Sequence, residues 1–150
     1  MSDQSHDIDV LNDLIATTLD SADGYSDAAD HAKNPMIADL FKQWAAERRQ
    51  VVADLRIAVR DLGGQPEDDG TVLASAHRMF MDLRSSMSND DRAVIDEVER
   101  GEDHIKDKYE HALGDEALGP QARAAVQGAH TSVRAGHDEM RALKQSHEDH

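Results

Sequence analysis

A chain of 150 residues, 39% of them hydrophobic and 3% aromatic, suffices for one core packed from aliphatic side chains, and that mixture favours helices over sheets. Sixteen Lys and Arg against 31 Asp and Glu give a net charge of −15, which repels nucleic-acid phosphates and anionic lipid surfaces, so neither is an expected partner. The absence of cysteine excludes disulfides, thiolate metal sites and cysteine nucleophiles.

The opening residues Met1 to Val10 are acidic and polar, unlike a secretory signal, and no apolar run approaches the roughly 18 residues of a membrane span. A cytoplasmic location is therefore expected. Proline and glycine then divide the chain into five helical segments. The first runs from about Asp7 to Lys33, with Leu11, Leu14, Ile15, Thr18, Ala22, Tyr25 and Ala29 on one stripe. Asn34 is the expected N-cap and Pro35 the first residue of the second, which carries Ile37, Phe41, Trp44, Val51, Val52, Leu55 and Val59 and stops at Gly63-Gly64.

After a polar connector, Gln65 to Gly70, a shorter third segment is expected from about Thr71 to Ser86. Ser88 to Asp91 read as the cap and acidic first turn of a fourth, which carries Ile95, Val98, Ile105 and Tyr109 and ends near Gly114. Gly119-Pro120 opens a fifth, carrying Ala122, Val126, Ala129, Val133 and Met140 to about Lys144, before a frayed tail. No segment has the alternation of a strand. The expected fold is thus all-α, an antiparallel up-and-down helical bundle forming one domain.

Several polar residues fall on these apolar stripes, where each must find a partner. They are Tyr25 on the first segment, Glu47 and Arg48 on the second, His77 on the third, Glu99 and Glu102 on the fourth, and His130 and His137 on the fifth. Counting residues outward from each turn puts Arg48 level with Asp20, His77 level with Glu99, and Glu102 level with about His130.

Two arrangements are open to this set. In one, His77, Glu99, Glu102 and His130 or His137 converge on a divalent transition metal, since oxygen and nitrogen ligands from facing helices suit Fe, Mn or Zn. In the other, the same groups form ion pairs and hydrogen bonds that fix helix register, with Asp20, Tyr25, Glu47 and Arg48 in a buried polar network. No Glu precedes a His by three residues anywhere in the chain, so the Glu-x-x-His pair of di-iron bundles is missing. His130 and His137 are two helical turns apart, roughly 10 Å, too far to share one ion. No glycine-flanked nucleophile and no phosphate-binding loop is present.

The motifs Leu11 to Ile15, Asp23-Gly24-Tyr25, Ala46-Glu47-Arg48, Leu62-Gly63-Gly64, His77-Arg78, Glu99 to Asp103, Tyr109 and His137-Asp138 run through nearly the whole chain. In them the sequence resembles an uncharacterised bacterial four-helix-bundle family, a domain of unknown function within the ferritin-like superfamily. Phe80 stands where that family usually has Trp. The resemblance implies a ferritin-like bundle with the fifth segment as an additional C-terminal helix, in a bacterial cytosol alongside stress-related proteins and without established enzymatic activity. The expected function is a non-enzymatic, stress-associated binding or protective role, with assembly into a homo-oligomer open. The alternative is an iron- or manganese-binding protein with oxidase or ferroxidase-like chemistry at His77, Glu99, Glu102 and His130 or His137.

Overall fold

The structure is a computed structural model that describes residues 4–68 and 91–148. Four helices account for most of them: α1 (Gln4–His31), α2 (Pro35–Asp61), α3 (Arg92–Leu113) and α4 (Pro120–Glu148). The segment expected from Thr71 to Ser86, with His77, lies outside the described residues, as do Ser88, Asn89 and Asp90.

Local chemistry sets the boundaries. The Asn34 side chain accepts the Met36 N–H at 2.8 Å, and Pro35 follows at a position whose N–H would find no helical acceptor. At the other end of α2 the Gly64 N–H donates to the Val59 carbonyl and the Gly63 N–H to that of Arg60, both at 2.9 Å. This C-terminal motif needs a left-handed residue, and Gly63 supplies it with φ 86°. Asp91 leaves the N-terminus of its own helix uncapped by its side chain. Its carboxylate instead accepts the Lys33 and Asn34 N–H groups at 2.7 and 2.9 Å, fastening the start of α3 to the α1–α2 turn.

These contacts fix the direction of each helix. Asn12 near the start of α1 bonds Gln65 and Glu67 after α2, whereas Asp91 meets the turn at the opposite end of the bundle. Hence α1 and α4 run one way and α2 and α3 the other. Contacts join α1 to α2, α3 to α4, α1 to α3 and α2 to α4, so each of these neighbouring pairs is antiparallel. At the far end of the α3–α4 link, the Asp7 carboxylate accepts the Gly119 N–H at 3.0 Å, in space that a Cβ at residue 119 would enter.

The apolar stripes close into two clusters. One gathers Leu11, Leu14, Ile15, Val51, Leu55, Val59, Ile105, Tyr109, Val126 and Val133; the other gathers Tyr25, Ala28, Phe41, Ala45, Ile95, Val98 and Met140. Both draw on α4, with Ala122, Val126 and Val133 completely buried. The C-terminal helix, expected as an addition to the bundle, is therefore one of the walls of its core. It shares the first cluster with Leu14, Val52 and Ile105, and each large aliphatic side chain buried there contributes roughly 1.5–3 kcal/mol.

Candidate functional site

Between the two clusters all four helices turn polar groups or a glycine toward one point. Arg48 of α2 is completely buried there. Its Nη2 donates to Glu102 Oε1 of α3 at 2.8 Å, and its Nη1 donates to Ser21 Oγ of α1 at 2.9 Å. The Tyr25 hydroxyl of α1 donates to the other Glu102 oxygen, Oε2. The guanidinium carbon stands 5.6 Å from the ring centroids of both Tyr25 and Trp44, and cation–π attraction of this kind strengthens as water is removed. Trp44 is anchored by donating Nε1–H to Glu139 of α4 at 2.7 Å. Gly136 completes the enclosure, because a side chain on α4 there would occupy the volume of the guanidinium.

Electrostatics makes this assembly interdependent. An ion pair withdrawn from water is tolerable only when both members keep their partners. Both Glu102 oxygens have donors, while Arg48 Nε has no hydrogen-bond partner among the described residues. Burial pushes the Tyr25 hydroxyl well above its usual range, and the adjacent Glu102 carboxylate reinforces the shift, so Tyr25 acts as a donor. Nearer the α1 N-terminus, Thr18 donates to the Leu14 carbonyl at 2.6 Å and lies 2.7 Å from the Tyr109 hydroxyl, which must then supply its own proton to Thr18. Burial raises Tyr109 to about 12.

Of the expected site residues, Tyr25, Arg48 and Glu102 meet, His77 lies outside the described residues, and the others are dispersed. Asp20 was expected to face Arg48; among the described contacts the guanidinium's α1 partner is its neighbour Ser21, and the opposing charge is Glu102. Glu47 is exposed and accepts from Ser132 on α4 at 2.7 Å, outside the buried network. Glu99 faces Lys144 at 3.4 Å. His130 lies 3.4 Å from Glu110, and the buried His137 lies 2.7 Å from Asp103 and 3.4 Å from Asp138. Instead of converging, these groups form a ladder along the α3–α4 seam: His130, His137 and Lys144 recur every seven residues opposite Glu110, Asp103 and Asp96. Seven residues is two helical turns, so successive rungs stay on one face.

The level expected for Glu102, near His130, is displaced by about two turns. The cause is the link 114–119: α4 starts beyond the end of α3, and the link is held against α1 through Asp7–Gly119 and a His6–Asp115 pair at 2.7 Å. Three further participants, Ser21, Trp44 and Gly136, were not in the expected set. A glycine on the buried stripe Val126, Ala129, Val133, Gly136, Met140 was the available signal for the last of them.

Among the described residues the donors do not assemble a carboxylate–histidine iron or manganese centre; His77 lies outside them. Among the described residues no three His, Asp or Glu side chains are grouped to hold an ion. The Glu102 carboxylate at the centre faces a guanidinium 2.8 Å away, a charge that opposes a divalent cation. No helix among the described residues is long and apolar enough to cross a membrane.

No curated protein matches the chain. The family described as Domain of unknown function (DUF2383) matches residues 6–115, a span that includes Tyr25, Arg48 and Glu102 and stops before α4. With the greater part of its length so matched, the chain belongs to that family.

Proposed function

We propose that the chain is a non-enzymatic, ferritin-like bundle that acts by binding or protection through its acidic surface, its central polar residues organising the core. One observation carries this reading: both oxygens of Glu102, the only carboxylate at the centre among the described residues, are committed to Arg48 and Tyr25. Kinship with ferritin-like proteins is supported by the two antiparallel pairs, α1 with α2 and α3 with α4, that the described helices form. The competing reading, iron or manganese at Glu99, Glu102, His77 and a histidine of α4, has to displace Arg48 from Glu102 first. That step leaves a guanidinium unpaired at a cost of about 3–5 kcal/mol.

The test is aerobic Fe(II) oxidation by metal-stripped protein. The expected rate equals that of buffer; an accelerated rate that Glu102→Gln abolishes would replace this reading with a ferroxidase.

A further inference from the structure

We propose that the bundle centre is a recognition box for a guanidinium group, which the chain fills with its own Arg48, and that truncating Arg48 opens the box to small guanidinium-type cations. This rests on the reading above in one respect, that Glu102 faces a cation of the chain and not a metal. Four features define the box. The Glu102 carboxylate is 1% exposed and accepts from Nη2 at 2.8 Å. Ser21 Oγ accepts from Nη1 at 2.9 Å. The rings of Tyr25 and Trp44 both lie 5.6 Å from the guanidinium carbon, and Gly136 leaves open the volume into which the guanidinium projects.

This chemistry selects a flat, weakly hydrated organic cation. Aromatic faces attract such a cation through their quadrupole, and its N–H groups match a carboxylate and a hydroxyl. A divalent transition metal would find one carboxylate, one phenol and one hydroxyl, short of its usual complement of strong oxygen and nitrogen ligands. Arg48 Nε has no hydrogen-bond partner among the described residues, so recognition rests on the two Nη groups. A free methylguanidinium ion offers the same two groups without the side-chain stem.

Thermal melting of Arg48→Ala in increasing methylguanidinium chloride, against sodium chloride at equal ionic strength, tests the proposal. The expected result is a saturable rise of about 5 °C or more in Arg48→Ala, absent from the wild type and from Arg48→Ala/Glu102→Gln. A response no larger than that to sodium chloride, an equal response of the wild type, or stabilisation by Mn(II) in place of methylguanidinium overturns it. If Arg48→Ala does not fold alone, its refolding from urea in methylguanidinium is read from Trp44 emission and helical circular dichroism. Recovery supports the box, and failure at every concentration overturns it. Iron oxidation by the wild type would defeat the proposed function and leave the rescue experiment unaffected.

Discussion

Gly136 of α4 lies against the guanidinium of Arg48: a Cβ at residue 136 would collide with Nη2 and come within 3.2 Å of the Trp44 ring. Gly136→Ala therefore forces the buried cation or the indole to move, and a loss of about 1–3 kcal/mol in urea unfolding is expected, together with a change in Trp44 emission. Gly128, on the same helix, is exposed with nothing near its missing Cβ. Gly128→Ala is expected to add about 0.5–1 kcal/mol. Equal effects of the two substitutions would contradict close packing at residue 136.

The Arg48–Glu102 pair should behave as one unit. Among the described residues, Arg48→Met leaves the buried Glu102 carboxylate with Tyr25 as its one hydrogen-bond donor, and Glu102→Leu leaves the buried guanidinium with Ser21 as its one hydrogen-bond acceptor. Each is expected to cost about 3–5 kcal/mol. The double variant removes both charges and should cost far less than the sum, a coupling that a double-mutant cycle measures. Additive losses would mean that the two side chains do not meet.

The α3–α4 ladder predicts a charge-swap result. Lys144 is one-third exposed and Glu99 about one-seventh, so Lys144→Glu should destabilise by no more than about 1 kcal/mol, and less in high salt. Adding Glu99→Lys should restore part of the loss. No restoration would place the two residues on different faces of the seam.

His6 and Asp115 predict a pH dependence. The Asp115 carboxylate holds His6 above its ordinary 6.5, and His6 in turn holds Asp115 below its ordinary 3.8. The imidazolium's contribution is present below 6.5 and lost as pH rises through the raised folded value. The carboxylate's contribution is present above 3.8 and lost as pH falls through the lowered one. The clasp thus acts across mildly acidic pH. In an NMR titration, Asp115→Asn should bring the His6 midpoint down toward 6.5; an unmoved midpoint would remove Asp115 as the cause.

Much of this architecture is legible in the residues. Asn34-Pro35, Gly63-Gly64 and Gly119-Pro120 mark helix ends because capping chemistry is local, and the tight turn at Asn34 let counting place Arg48 within one residue of its true α1 partner, Ser21. Counting failed across the six-residue link 114–119, whose course depends on long-range contacts with Asp7 and His6. The seven-residue spacing of His130 and His137 was visible, but its meaning required the register of α3. The centre itself was half legible. Burial of Arg48 and Glu102 followed from periodicity, but their pairing joins α2 and α3 across the thirty residues 62–91, which no local pattern encodes.

The chain has two tyrosines, both buried hydrogen-bond donors. Alkaline difference spectroscopy should therefore show no phenolate near pH 10, with Tyr109 ionising only at about 12 or on unfolding and Tyr25 still held well above its normal range. Ionisation of one tyrosine near pH 10 in folded protein would contradict the burial of that ring.

The most direct test of the commitment of Glu102 to Arg48 is calorimetric titration of metal-stripped wild type and Glu102→Gln with Mn(II), each confirmed as folded by circular dichroism. Identical isotherms for the two proteins are predicted, since the carboxylate is already neutralised from within. A stoichiometric uptake by the wild type that disappears in Glu102→Gln would contradict it.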